Sequence, residues 1–159
     1  MIVVLNNIRS MHNVGSIFRT ADAVGVEKIY LCGFTPSPLD EFKKVRPQIA
    51  KVALGAENNV SWEKHPKTHI VLDNLKKEGY KIFAVEQHPD SVPYNKIKLT
   101  EKQAQKIVVV FGHEINGISE AILKRADKIL EIPMLGEKES LNVSVTFGIV
   151  VYALEPKLN

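Results

Sequence analysis

The sequence holds a single cysteine, Cys32, so no disulfide can form within the chain. This excludes the bridged frameworks of small secreted domains and favours a reducing, cytoplasmic setting. Cys32 ends an apolar run, which predicts a buried core thiol rather than a reactive one. No apolar stretch approaches the roughly 20 residues that a membrane-spanning helix needs. The run at Ile2–Leu5 is also too short for the apolar region of a signal peptide.

Several ligand-binding patterns are missing as well. The chain has neither a GxGxxG sequence nor a glycine loop with a Walker lysine, which argues against a dinucleotide or P-loop site. His113 precedes Glu114, but the pair is not part of an HExxH sequence and no cysteine or histidine cluster completes a metal site. We therefore predict no metal. The net charge of +3 is compatible with an anionic partner but is weak support for one.

What the chain does have is 159 residues, 45% of them hydrophobic, which predicts one domain over residues 1–159. Short apolar runs rich in Val and Ile alternate with helical patterns, as in an α/β fold with a mostly parallel sheet flanked by helices. The predicted strands are Ile2–Leu5, Lys28–Cys32, Lys81–Val85, Ile107–Phe111 and Lys128–Ile132.

Helical periodicity and capping residues predict four helices. They are Asn13–Val24 with Asn13 as N-cap and Gly25 as stop, Lys67–Lys77 with Ile70, Val71 and Leu75 on its buried face, Glu120–Ala126 capped by Ser119, and Asn142–Leu154. The last is apolar on more than one face, so it is buried on both sides, either within the domain or against a partner subunit. The segment Pro36–Pro66 shows no clear periodicity.

Three polar segments stand at predicted strand ends, where ligands bind in open α/β sheets. In the first, Gly15 permits close approach, and the Arg19 cation either meets an acid or phosphate or extends into solvent. In the second, Glu114 is as compatible with bracing a loop as with catalysis. In the third, Ser140 and Asn142 are helix-capping types whose side chains would face a loop suited to hold a ligand.

Together the three segments resemble the three motifs of the SpoU (TrmH-like) RNA ribose methyltransferases, in the SPOUT superfamily. The motifs occur in the family's order and without departure at the motif positions. The matching residues are Asn13, Gly15, Arg19, Thr20 and Ala21; Gly112, Glu114, Gly117, Ile118 and Ser119; and Ile132–Gly136 with Ser140–Val145.

The resemblance implies an S-adenosylmethionine-dependent enzyme that methylates a ribose 2′-hydroxyl of tRNA or rRNA. It also implies a homodimer and a C-terminal deep trefoil knot whose loops hold the cofactor. The cofactor-binding residues expected by this match are Val85, Glu86, Gly112, Glu114, Gly117, Ile132, Pro133, Met134, Ser140, Leu141 and Asn142.

The family match also implies the catalytic set of Arg19, Asn13, Glu114, Ser140 and Asn142. A guanidinium is effectively always protonated, so Arg19 is better suited to hold a phosphate and stabilise the 2′-oxygen than to act as a base. Since only one strand precedes the first motif, we expect no separate RNA-binding domain. The expected RNA contacts are Arg9, Arg19, Lys43, Lys44, Arg46 and Lys51.

Two alternatives stay open at this stage. One is a SPOUT-fold enzyme that methylates an RNA base, and the other is a non-catalytic RNA-binding module with the same fold. An unrelated nucleotide-binding α/β protein is disfavoured by the missing phosphate-loop patterns. The sequence does not distinguish tRNA from rRNA, or identify the nucleotide.

Overall fold

The structure is a computed structural model that describes residues 1–158. The strands are β1 (Ile2–Asn6), β2 (Lys28–Cys32), β3 (Ser61–His65), β4 (Lys81–Val85), β5 (Val92–Pro93), β6 (Ile107–Phe111) and β7 (Lys128–Glu131). The helices are α1 (Met11–Val24), α2 (Pro47–Ala53), α3 (Ala56–Asn59), α4 (Thr68–Lys77), α5 (Glu101–Ala104), α6 (Glu120–Leu123) and α7 (Val143–Leu154). Short 3-10 turns cover Tyr94–Lys96 and Pro156–Leu158.

The seven strands form one sheet in the order β3-β2-β1-β6-β4-β7-β5, and all its strand pairs are parallel. Alternate residues of the central strands face opposite layers, as the pleat requires. In β1, Val3 and Leu5 pack with α1 and α7, whereas Ile2 and Val4 pack with α4 and α6. This arrangement confirms the predicted α/β fold with helices on both faces.

Helix α1 begins two residues earlier than the sequence predicted, and Asn13 is not its N-cap. Ser10 caps it instead, since its side chain accepts a hydrogen bond from the backbone N–H of Asn13 at 3.2 Å. The displaced cap matters, because it frees the Asn13 side chain for contacts elsewhere. The predicted stop at Gly25 is confirmed, with Gly25 in the left-handed region at φ 78°.

The segment Pro36–Pro66 contains α2, α3 and β3, none of which the sequence analysis predicted. Strand β3 lies at the edge of the sheet, and Trp62 is its one apolar residue, so it has no apolar run. Helix α2 begins with Pro47 in its first turn, which is a favourable position for proline. Strand β3 and helix α2 are both short, and the elements that they contact lie elsewhere in the chain.

The other boundaries differ by small amounts. Helix α4 buries Val71 and Leu75 as predicted. Ile70 is exposed, however, and Leu72 is buried instead. Helix α6 ends at Leu123 rather than Ala126, and Ser119 precedes it without a side-chain capping bond. No helix within residues 1–158 is long and apolar enough to cross a membrane.

Candidate active site

A cavity of about 480 Å³ opens at the carboxyl ends of β4, β6 and β7, beside the start of α7. Its size lies within the roughly 300–1,000 Å³ of small-molecule sites, and its wall mixes apolar side chains with a few polar groups. The residues that line it and bear on the argument are Val85, Glu86, Gln87, Phe111–Ile118, Glu131, Ile132, Met134, Ser140–Val143 and Thr146.

The loop after β6 forms the tightest wall of this cavity. His113 and Gly117 exchange two backbone hydrogen bonds, and Gly117 has a positive φ of 61°. A Cβ added at Gly112 would lie 2.5 Å from Ile118 Cγ1 and 2.6 Å from the carbonyl carbon of Gly117. Only glycine therefore fits at position 112 without moving the loop.

Glu86 holds the same wall from the end of β4. Its Oε2 accepts a hydrogen bond from the Ile118 N–H at 2.8 Å, and its Oε1 accepts one from the Gln87 N–H at 3.0 Å. The carboxylate also packs so closely on Gly117 that a Cβ there would collide with it. Bracing of the loop is thus the role that these contacts give Glu86, and cofactor contact stays a prediction.

Glu114 joins the second motif to the first. Its Oε2 accepts from the Arg9 N–H at 2.9 Å, and its Oε1 accepts from the Ser10 N–H and from Asn13 Nδ2, each at 3.0 Å. The carboxylate lies at the start of α1, where the helix dipole also favours negative charge. Glu114 therefore fixes the N-terminus of α1 to the cavity wall.

Asn142 extends this network to the third motif. Its Nδ2 donates to Asn13 Oδ1 at 3.1 Å, and its Oδ1 accepts from the N–H of Ser144 at 2.8 Å, which caps α7. Asn13 and Asn142 are 129 residues apart in the chain. The three motif segments thus meet in one hydrogen-bonded set formed by Asn13, Glu114 and Asn142.

The protonation state of Glu114 follows from these contacts. Burial acts to raise the pKa of Glu114, but the hydrogen bonds from Arg9, Ser10 and Asn13 outweigh it and leave that pKa below its ordinary value of 4.5. The side chain is therefore a carboxylate at neutral pH, able to accept hydrogen bonds but not to donate a proton.

A second, more open cavity of about 310 Å³ adjoins the first. It is lined by Arg9, Ser10, Asn13, Glu114 and Ile115. Glu114 and Ile115 belong to both cavities. A molecule in the second cavity would therefore lie next to one in the first, as two reactants of a transfer reaction must.

The predicted catalytic and cofactor-binding residues come together at these cavities, except for Pro133 and Arg19. Pro133 is exposed and lines neither cavity, although Ile132 and Met134 on either side of it line the larger one. Arg19 is exposed on α1, six residues beyond Asn13 and so on another side of the helix. Within residues 1–158 the Arg19 side chain has no hydrogen bond or ion pair, so none joins it to Glu114, Ser140 or Asn142, with which the family match grouped it.

The remaining predicted RNA contacts lie apart from the cavities, Arg9 excepted. Lys43, Lys44 and Lys51 are exposed on the segment that follows β2, and Arg46 is half-buried before α2. Sequence reasoning missed Gln87, Ile115, Asn116 and Thr146 in the larger cavity. Gln87 stands just after a predicted strand end, and this position could have identified it as a candidate site residue. No group of three or more candidate metal-ligating side chains occurs in the part of the chain that is described.

This geometry can be compared with that of known proteins. The sequence profile of the SpoU rRNA Methylase family matches residues 1–152. The tRNA (guanosine(18)-2'-O)-methyltransferase of Thermus thermophilus is 32% identical over 150 residues, which are 94% of this chain and 71% of that protein.

Two solved structures have the same fold. The AdoMet-bound rRNA methyltransferase of Sinorhizobium meliloti is 25% identical with a TM-score of 0.86, and the match covers 99% of this chain but only 56% of that one. A structure described as giving insight into 2-OH methylation of C/U34 on tRNA is 26% identical with a TM-score of 0.78, covering 95% of this chain and 91% of that one.

Proposed function

The chain belongs to the SpoU rRNA methylase family, and on that premise we propose that it is an S-adenosylmethionine-dependent RNA ribose 2′-O-methyltransferase acting on tRNA or rRNA. The observation that carries this function is the hydrogen-bonded set of Asn13, Glu114 and Asn142, which joins the three motif segments between two adjoining cavities. One cavity suits the methyl donor and the other suits the RNA ribose.

The larger cavity fits the cofactor in volume and in the chemistry of its wall. Val85, Ile118 and Leu141 offer apolar contact for an adenine ring, and Ser140 and Asn142 offer polar groups for the ribose and amino acid portions. When bound, S-adenosylmethionine supplies the methyl group, which would be transferred from its sulfonium sulfur to the ribose 2′-oxygen. Gly112, Gly117 and Ile132 would hold it through their backbone.

The residues of this chain act on the 2′-hydroxyl by position and charge. Glu114 is ionised, but its oxygens already accept three hydrogen bonds, so it positions Asn13 rather than taking the hydroxyl proton. The permanent cation Arg19 holds the adjoining phosphate in two-pronged contact and stabilises the negative charge that develops on the 2′-oxygen. The hydroxyl proton then passes to solvent.

The position of Arg19 on α1, away from both cavities of its own chain, favours an active site shared by two protomers. Helix α1 packs against α7, where Thr20 lies next to Gly148. Another side of α7 exposes a second apolar stripe that includes Val145 and Tyr152, and the exposed Leu141 lies just before the helix. A homodimer formed through this stripe would cover apolar surface and bring Arg19 to the cavity of the other protomer. Light scattering is expected to give twice the chain mass of 17.8 kDa. A monomer at micromolar concentration would contradict this dimer.

A mixture of two inactive variants tests the shared site. In a dimer that combines Arg19 of one protomer with Asn142 of the other, Arg19→Ala and Asn142→Ala chains form heterodimers with one intact site. Activity is then expected to recover to about a quarter of the wild-type value, since half the dimers are mixed and half their sites are intact. No recovery after the subunits exchange would place Arg19 in the site of its own chain.

Substitution of Arg19 is the most direct test of the proposed mechanism. Arg19→Ala is expected to lower the rate of transfer by about 100- to 1,000-fold, as loss of one preorganised electrostatic contact does, with little change in cofactor affinity. Arg19→Lys should recover little activity, since an ammonium lacks the planar fork. An Arg19→Ala enzyme with normal turnover would refute the role.

A C-terminal trefoil knot also belongs to this proposal. It is supported by the strand order, in which the chain returns after β6 to insert β7 between β4 and β5. Helix α7 then runs back so that Phe147 packs on Phe111, with ring centroids 5.1 Å apart. A knot of this kind would be a rare exception to the rule that chains do not thread their own loops.

We further propose a cytoplasmic setting, supported by the single buried thiol. RNA recognition by Arg9, Lys43, Lys44, Arg46 and Lys51 stays a prediction. Transfer of labelled methyl groups to tRNA and rRNA from a deletion strain tests the function, with the product nucleotide mapped by 2′-O-methyl-sensitive hydrolysis. Label on a base would indicate the alternative chemistry, and no transfer despite RNA binding would indicate a non-catalytic module.

A further inference from the structure

The ring of Phe34 lies on the other half of the sheet's carboxyl edge, just after β2. It is 57% exposed, although a phenyl ring of this size contributes most when covered. Its one ring contact in the part of the chain described is with His113, whose ring is 5.7 Å away and at 84° to it. Because His113 also lines the larger cavity, Phe34 stands beside the proposed transfer site.

The backbone that carries Phe34 is held firmly. The Phe34 N–H donates to Asn7 Oδ1 at 3.2 Å, and Asn7 has a positive φ of 60° that favours asparagine. Lys64 Nζ donates to the carbonyl oxygens of both Gly33 and Thr35, one on each side of Phe34. The exposed ring is thus fixed in place before any ligand binds, which lowers the cost of binding.

Two cations lie next to this loop without a partner of opposite charge. Partial burial lowers the pKa of Lys64, nearby Cys32 acts to raise it, and repulsion from Arg46 lowers it further. Within residues 1–158, neither Lys64 nor Arg46 forms an ion pair, and the buried Nε of Arg46 has no hydrogen-bond partner. Like charges held together without a counter-ion favour binding of an anion.

We propose that Phe34, Lys64 and Arg46 form a nucleotide subsite for the RNA substrate. An unpaired base stacks on the exposed ring of Phe34, and its phosphate binds the two cations. Unpaired bases stack on aromatic side chains in this way, whereas bases in a duplex are not accessible. The inference rests on the proposed function and specifies the substrate as a single-stranded RNA loop, with the stacked base at or beside the methylated nucleotide.

The geometry of His113 supports this assignment. Its Nδ1 accepts hydrogen bonds from the N–H groups of Ile115 and Asn116 at 2.9 and 3.1 Å. A neutral ring that accepts at Nδ1 carries its proton on Nε2, so a donor is left for a base or ribose oxygen. His113 therefore connects the Phe34 subsite to the cavity as one continuous binding surface.

The test is the affinity of full-length Phe34→Ala protein for a fluorescein-labelled, single-stranded RNA of about 12 nucleotides, measured by anisotropy. Loss of one stacked base is expected to weaken binding by about ten- to a hundredfold. Phe34→Trp, which keeps an aromatic face, should stay within about threefold of wild type. A duplex of the same length should bind weakly and with no dependence on Phe34.

Phe42→Ala is a matched control, since Phe42 is also an exposed phenylalanine but has no ring contact among residues 1–158. Its RNA affinity should equal that of wild type. Arg46→Gln should lower the salt slope of RNA binding by about one unit, which a purely structural role would not do. Equal binding by wild type and Phe34→Ala, or equal losses in Phe34→Ala and Phe42→Ala, would overturn the subsite.

Cofactor affinity separates this result from the proposed function. Calorimetry with S-adenosylmethionine should give the same affinity for wild type and Phe34→Ala. If wild type binds RNA in a Phe34-dependent manner but binds no cofactor and transfers no methyl group, the subsite stands and the methyltransferase proposal fails. If methyl transfer proceeds and Phe34→Ala leaves RNA affinity unchanged, the methyltransferase proposal stands and the subsite fails.

Discussion

The two halves of the sheet's carboxyl edge are built in opposite ways. Beyond β1 and β2 the loops are closed by the chain's own side chains, as where the buried Thr35 hydroxyl donates to the Leu5 carbonyl and accepts from the Ile8 N–H. Beyond β4, β6 and β7 the loops instead surround a cavity, and Leu135 at the tip of one is 99% exposed. The buried side chains of the first half form a scaffold, whereas the loops of the second half surround the cavity proposed for the cofactor.

Glu114 joins the two halves. It follows β6, in the open half, and accepts hydrogen bonds from the loop that follows β1, in the closed half. The comparison therefore predicts that substitutions in the open half alter cofactor affinity, that those at buried positions of the closed half alter stability, and that Glu114 affects both stability and methyl transfer.

The largest effect is expected in the open half, from Gly112→Ala. The added Cβ would lie 2.5 Å from Ile118 Cγ1 and collide with the backbone of Gly117, so the loop must move. Overpacking of about 1–3 kcal/mol, if it falls on the cofactor-bound state, corresponds to a loss of cofactor affinity of about five- to 150-fold. Calorimetry with S-adenosylmethionine measures it. Gly136→Ala is the control, since a Cβ there meets nothing within 4 Å; equal losses in both variants would contradict the explanation.

In the closed half, Thr35→Val should lower stability and leave the cofactor site intact. Valine keeps the shape of threonine but leaves the Leu5 carbonyl and the Ile8 N–H buried without a partner, which costs about 1–3 kcal/mol. Urea unfolding measures this change, with the exposed Ser61→Ala as control. A Thr35→Val protein of normal stability but weakened cofactor binding would reverse the division between the halves.

At the junction, Glu114→Gln should cost a smaller amount of stability, about 1 kcal/mol after allowance for solvent, and should also reduce methyl transfer. An amide cannot accept on both of its ends from the Arg9 and Ser10 N–H groups, so one bond is lost.

The effect of Glu114 has a defined pH dependence. Because its pKa is depressed in the folded state, its stabilisation is fully present above the ordinary value of 4.5 and is lost as pH falls through the depressed pKa. The difference in unfolding free energy between wild type and Glu114→Gln should therefore be present at neutral pH and shrink as the pH falls below 4.5. A difference that is constant over this range would show that the charge of Glu114 does not contribute.

The smallest effect is expected at Cys32, at the end of β2 in the closed half. Burial raises the pKa of the Cys32 thiol to about 11, and the side chain is fully buried. A disulfide reagent at about pH 8 should leave the native protein unmodified and react at once after unfolding in guanidinium. Rapid reaction of the native protein would show that this half opens more readily than its contacts indicate.

The sequence by itself determined the central strands and the presence of the site segments. Strands β2, β4 and β6 were predicted at their observed bounds, because strands buried on both faces are nearly continuous runs of apolar residues. Motif spacing also placed Glu114 and Asn142 at the carboxyl edge, since in a parallel sheet every such strand end lies on the same side. These features depend on local composition, which a single sequence contains.

Only the tertiary structure decided how those segments are used. The Ser10 cap, the edge strand β3 and the hydrogen bond between Asn13 and Asn142 all depend on partners far along the chain, which local periodicity does not encode. The same reason explains why Arg19 lies away from the cavity that its motif predicted and why Phe34, in no motif, is fixed beside His113. Local apolar patterns set which segments are buried, whereas contacts between distant side chains decide which polar and aromatic groups are left to bind a ligand.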